Sequence, residues 1–161
     1  MTIKRGGRWL LLMLALWVSA AMASTADHTR FEELQGPFTS AEEVTRACLS
    51  CHTEASQQVM GTRHWTWDYE NPHTGERLGK RTMLNTFCIA DQSNEGFCQS
   101  CHVGYGWEDD TFDFTAETRV DCLACHNTGD YVKKGGWAGW PNESLTDLVS
   151  AARNVGASSR Q

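Results

Sequence analysis

Apolar positions along the chain fall into two regimes. From Trp9 to Ala20 they run almost without interruption; beyond that they thin out, with few Ile or Val and long polar stretches. In the second regime, helical spacing returns only in short runs. Val44, Ala47, Cys48 and Cys51 fall at i, i+3, i+4 and i+7, which predicts a short helix with one apolar face. Ser40 as N-cap and Glu43 three residues later supply its start. Helix is expected to resume over residues 54–60, and a last amphipathic run, Leu145, Leu148, Val149 and Ala152, closes at Gly156. Asn71-Pro72-His73-Thr74-Gly75 and Ser93-Asn94-Glu95-Gly96 are turns by composition. Residues 80–89 suit a short strand or a short helix equally, and Thr115-Ala116-Glu117-Thr118 is expected to cap a helix entering Cys122. The pattern predicts mainly short helices and irregular loops, with little sheet.

The apolar run near the start is not part of that fold. Lys4, Arg5 and Arg8 precede it, and Ala21-Met22-Ala23 follows as a small-x-small cleavage site, so residues 1–23 read as a secretory signal peptide. The run is too short for a comfortable bilayer span. The membrane is therefore met only transiently, through the signal peptide, and the mature domain, residues 24–161, is expected in the periplasm. The formal charge of −6 becomes −9 once the three basic residues of the signal are removed. An acidic domain of this kind repels nucleic acid and anionic lipid.

The chemistry lies in three Cys-x-x-Cys-His stretches: Cys48, Cys51 and His52; Cys98, Cys101 and His102; Cys122, Cys125 and His126. Each matches a covalent c-type haem attachment site, in which two thiols add to one porphyrin and the abutting histidine ligates the iron. A thioredoxin-like dithiol comes once, near a βαβ pattern that is missing here. Zinc does not require a histidine directly after every pair. Three covalent haems c also explain the thin polypeptide core, because the macrocycles supply apolar volume. The fold class is thus a multihaem cytochrome c, its helices and loops wrapped around covalent haems. Of seven cysteines, only Cys88 is left over, and it reads first as an apolar filler.

Three irons leave up to three sixth positions to fill. His28, His64 and His73 are the histidines outside the motifs; His64, flanked by Trp and Thr residues, is the leading candidate, His73 follows and His28 is the weakest. Met60 and Met83 read as packing residues more readily than as axial ligands. Lys133 and Lys134, taken alone, read as a surface pair.

Longer strings narrow the field. Ala47-Cys48-Leu49-Ser50-Cys51-His52-Thr53, Gly61-Thr62-Arg63-His64-Trp65-Thr66-Trp67, Phe87-Cys88-Ile89-Ala90 and Ser100-Cys101-His102-Val103-Gly104-Tyr105-Gly106-Trp107 together resemble the N-terminal part of the octahaem tetrathionate reductase family of periplasmic multihaem cytochromes c. The resemblance runs from about Glu42 to Gly156. It implies reduction of a small oxidised sulfur or nitrogen substrate (tetrathionate, nitrite or hydroxylamine) at one haem whose distal ligand is a lysine, fed by bis-histidine haems. Through Asp130-Tyr131-Val132-Lys133-Lys134 it implies Lys133 as that amine, with Lys134 behind it, and Asp130 as a group that delivers protons or holds the amine. The haem on Cys98, Cys101 and His102 would then be the reaction centre. A redox partner protein, a periplasmic or membrane electron donor, is implied as well. With three motifs against the family's octahaem complement, the chain is expected to be the N-terminal part of a longer protein. The competing expectation is a trihaem electron-transfer module without catalysis.

Overall fold

A computed structural model describes residues 26–81, 95–133 and 136–156 of the chain. Residues 1–23, the expected signal peptide, lie outside the described residues, as do Met83, Cys88, Lys134 and most of the ambiguous 80–89 stretch. The elements are short. Two 3-10 turns, His28–Arg30 and Glu32–Leu34, lead into α1 (Ala41–Cys51), α2 (Ala55–Met60) and α3 (Arg63–Thr66). A two-stranded antiparallel ribbon follows, β1 (Tyr69–Glu70) against β2 (Arg77–Leu78), with Tyr69 opposite Leu78. Then come α4 (Glu95–Cys98), α5 (Leu123–His126) and α6 (Leu148–Arg153), joined by 3-10 turns and loops. This is the expected helical fold with minimal sheet.

Local chemistry explains where the elements start. Ser40 Oγ accepts from Glu43 N (3.3 Å), while the Glu43 carboxylate reaches back to Thr39, accepting from its N–H (2.6 Å) and its hydroxyl (2.9 Å). The reciprocal capping pair is therefore present with its return arm displaced by one residue. The ribbon turns through Asn71, whose Oδ1 accepts from His73 N (2.9 Å), and through Gly75 at φ 69.

Two expectations of helix boundaries are corrected. The final run is not one helix from Leu145: Asp147 Oδ1 accepts from Ser150 N (2.9 Å) and starts α6 at Leu148, leaving Leu145 60% exposed on a separate 3-10 turn. The helix entering the third motif is not capped by residues 115–118. Thr115 is engaged with Asp113, and Asp121 Oδ1 takes up Ala124 N (2.9 Å) at the head of α5.

The core has two parts. Leu34, Val44, Leu123, Tyr131, Ala151 and Ala152 form one, with Phe38, Ala47, Cys48 and Leu148 packed against it. Trp65, Val103 and Val120 form the other, lined by Val59, Met60, Phe112, Phe114, Ala124 and Cys125. Helix α5 touches both, Leu123 in the first and Ala124 and Cys125 at the second. Gly104 sits where the halves meet, bridging to Val120. A Cβ there would stand 2.7 Å from the Trp65 ring and 2.9 Å from the Arg119 carbonyl.

Candidate functional site

The first motif ends α1. His52 is the helix C-cap, its N–H donating to Cys48 O (2.8 Å), and both Cys51 and His52 are exposed. The imidazole of His28 lies near-parallel to that of His52, with ring centres 6.2 Å apart and planes at 18°. The third motif occupies α5. There His126 Nδ1–H donates to the Gly156 carbonyl (3.2 Å), which leaves Nε2 as the outward nitrogen.

The second motif is enclosed. His102 is fully buried, and its Nε2–H donates to the Trp65 carbonyl (2.7 Å), while Nδ1 has no partner. Trp65, Trp67, Trp107, Phe112 and Phe114 surround the ring at centroid distances of 4.8–6.0 Å. Trp67 enters that box from a left-handed backbone position, φ 49, at the end of α3. Burial pushes the His102 pKa down to about 4, so the imidazole is neutral at pH 7, the form that ligates metals.

These features decide how well a haem fits. Of the motif thiols, Cys51 and Cys101 are exposed and Cys48, Cys98, Cys122 and Cys125 are half-buried. At the third motif, the Nδ1–carbonyl bond fixes the ring with Nε2 outward, as a backbone carbonyl does for a metal-ligating histidine, and at the first motif the histidine is open to solvent. Both fit an iron porphyrin. At the second motif His102 Nε2 is engaged by the Trp65 carbonyl inside the aromatic box. Among the described residues, no group of three or more His, Cys, Asp or Glu side chains converges on a bare-ion site.

The motifs are also close to one another. Cys48 packs against the core cluster that holds Leu123 of the third motif; the neighbouring Cys122 thiol holds Cys48 below the ordinary thiol range, and Cys48 together with burial pushes Cys122 above it. The 24-residue interval from Cys98 to Cys122 made the second and third motifs the expected neighbours. The structure adds the first, through the packing of Cys48 on the cluster that holds Leu123.

Between the motifs lies a buried polar network. Asp121, fully buried, accepts from Tyr105 OH (3.2 Å) and Ala124 N on Oδ1, and from Tyr131 OH (2.8 Å) and Lys133 Nζ (2.7 Å) on Oδ2. Lys133 Nζ also donates to Gly139 O (2.7 Å) and Gly104 O (3.3 Å), and its side chain is 15% exposed. Thr45 Oγ1, from α1, donates to Val120 O (2.8 Å) and lies 3.1 Å from Tyr105 OH. Burial foremost, then the Asp121 charge, raises both tyrosine hydroxyls above the ordinary phenol range.

Set against the sequence, Lys133 is an inward-pointing amine rather than half of a surface pair. The carboxylate that holds it is Asp121. Asp130, exposed, instead accepts from Ser150 Oγ (2.6 Å) beside α6. His64 on α3 and His73 at the ribbon turn are both exposed, and Met60 packs against the Trp65 cluster. Sequence reasoning missed Asp121, Tyr105, Tyr131 and Thr45. One signal was available: an aspartate directly before a Cys-x-x-Cys-His stretch stands where a helix N-terminus needs an acceptor.

No family model matches the chain, and no curated protein does. Among solved structures, an octahaem cytochrome c from Shewanella oneidensis matches with 49% identity and a TM-score of 0.73, over 83% of this chain and 31% of that one. The chain is homologous to part of an octahaem cytochrome c. It spans about a third of that relative's length. The fold is accordingly that of a multihaem cytochrome c, and the expected resemblance holds at that level. Among the described residues, no helix is long and apolar enough to cross a membrane.

Proposed function

We propose that the chain is an exported, periplasmic electron-transfer module of a multihaem cytochrome c. It would hold three covalent haems on Cys48, Cys51 and His52, on Cys98, Cys101 and His102, and on Cys122, Cys125 and His126. The observation that carries this reading is the convergence of attachment sites on one small scaffold: Cys48 packs against the cluster that holds Leu123, and Cys125 against the cluster that holds Val103. Bound haem supplies the one-electron redox change. The protein's part is to set spacing, burial and axial ligands. Electrons would enter from a periplasmic or membrane donor protein, toward which the acidic surface steers a basic partner.

A reductase reading stands beside it, favoured by the inward position of Lys133. In that reading Lys133 is the distal amine of the second haem, and the substrate is tetrathionate, nitrite or hydroxylamine. Asp121 would orient the amine, and Tyr105 and Tyr131 would keep that carboxylate in place. Asp130 would serve proton delivery from the surface. The three acceptor oxygens around Lys133 Nζ match the three donors of an ammonium, which supports the electron-transfer reading over this one.

Intact mass and low-temperature EPR of the oxidised, haem-loaded chain separate the two. A mass gain of three haems with only low-spin signals is expected. A mass gain of fewer haems overturns the trihaem assignment. A separate signal that is lost in Lys133→Ala and perturbed by hydroxylamine or nitrite would establish the reductase reading instead.

A further inference from the structure

The chain is acidic, yet its cations are unevenly placed. Arg63, Arg77, Lys80 and Arg81 fall in one stretch, from α3 to just past the ribbon. Of the other basic side chains, Arg46 and Arg119 pair with Glu42, and Lys133 with Asp121. Arg77 is likewise paired, with Asp68. Arg63, Lys80 and Arg81 are exposed, and among the described residues no carboxylate lies within ion-pair distance of any of them.

Aromatic rings hold these three cations in place. The Arg63 guanidinium stands 4.2 Å from the Tyr69 ring centre, Lys80 Nζ 5.4 Å from that of Trp67, and the Arg81 guanidinium 3.9 Å from that of Phe114. Such contacts fix a cation at the surface without cancelling its charge. Arg63, Trp67 and Lys80 line a cleft of about 330 Å³ together with the exposed Cys101. Trp67 and Phe114 also belong to the box around His102, so the positive charge lies over the second motif. Beside it, Tyr69 and Leu78 stand opposite each other on the ribbon, 37% and 46% exposed. Apolar side chains with a charged rim are the anatomy of a protein interface. The three cations sit on three different rings, which spreads them over a face instead of converging them on one small anion.

We propose that this face docks the acidic surface of a redox partner protein. It is a second contact, opposite in charge to the acidic surface that steers a basic partner. That the occupant is a redox protein rests on the electron-transfer reading above. The contact belongs to the small, transient class of interface, in which rim charges govern association and its dependence on salt.

The test uses the full, haem-loaded chain, with oxidised flavodoxin as a small acidic redox probe and a basic cytochrome c as the counter-probe, both titrated by calorimetry. Flavodoxin is expected to bind at about 0.01 M salt and to weaken at about 0.15 M, where the Debye length falls from about 30 Å to about 8 Å. The triple variant Arg63→Glu, Lys80→Glu, Arg81→Glu is expected to bind flavodoxin about tenfold more weakly at low salt, with three haems by mass, an unchanged circular dichroism spectrum and no loss of cytochrome c binding. The milder triple to Gln should lose about threefold and carries the same test if charge reversal unfolds the chain. Arg30→Glu, an exposed cation beside the first motif, should bind flavodoxin as the wild type does. Flavodoxin binding that both triples leave unchanged would overturn the proposal. So would self-association that the triples abolish, which would make the face a contact between copies, or binding of phosphatidylglycerol vesicles in place of flavodoxin. A wild-type chain that lacks haem by mass and still binds flavodoxin through these residues would overturn the attachment reading and leave the docking face standing.

Discussion

Asp121→Ala is the perturbation that reaches furthest into this fold. The carboxylate takes four donors, from Ala124, Tyr105, Tyr131 and Lys133. Its removal leaves Lys133, 15% exposed, with two carbonyls but no counter-charge, and strips the cap from α5. Breaking a buried ion pair from one side costs about 3–5 kcal/mol, and losing a helix cap costs about 1 kcal/mol. A destabilisation of about 4 kcal/mol is expected, given that such terms overlap. Most of it is the penalty of an uncompensated ammonium, so taking away the second charge should recover part of the loss. The double variant Asp121→Leu, Lys133→Met is expected to be more stable than Asp121→Ala. The assay is guanidinium denaturation of the haem-loaded chain followed by circular dichroism, read as a lower midpoint at constant slope. A cost below about 1 kcal/mol for Asp121→Ala, or a double variant that loses as much as the two singles added, would refute the reasoning.

The same network sets a pH limit. Burial raises Tyr105 and Tyr131 above the phenol value, so the folded state resists their ionisation. Their contribution to stability is fully present below the unfolded pKa of about 10 and is lost as pH rises beyond it. Denaturation midpoints should therefore fall above about pH 10, with tyrosinate absorbance from these two residues emerging only as the chain unfolds; their ionisation in the still-folded protein would contradict this. Gly104→Ala drives a methyl to within 2.7 Å of the Trp65 ring and 2.9 Å of a backbone carbonyl. It is expected to cost about 1–3 kcal/mol by overpacking, measured by the same denaturation.

What the sequence made legible was local. The Ser40–Glu43 start, the helical spacing that runs into Cys48, the Asn71–Gly75 turn and the abutting histidines each depend on neighbours within a few residues. The misjudged features depend on residues far apart in sequence. Nothing near Lys133 indicates that its amine meets Asp121 and the carbonyls of Gly104 and Gly139, and the resemblance pointed to Asp130, three residues away, instead. Met60, expected as a packing residue, does pack against the Trp65 cluster. His28, in a polar lead-in without periodicity, carried no signal of the turn that sets it against His52.

The third motif occupies a different place in space than in sequence. Its Leu123 lies in the cluster against which Cys48 of the first motif packs, while Cys125 packs on the cluster containing Trp65 and Val103, whose neighbour in the chain is His102. The residue before it, Asp121, gathers side chains from the exit of the second motif (Tyr105) and from the segment following the third (Tyr131, Lys133). Through Tyr105 it connects to Thr45 on the helix of the first. Helix α5 therefore stands between the surroundings of the first and second motifs. Asp121 heads that helix, so loss of its carboxylate should disturb all three attachment sites together, a broader effect than the loss of any one motif histidine.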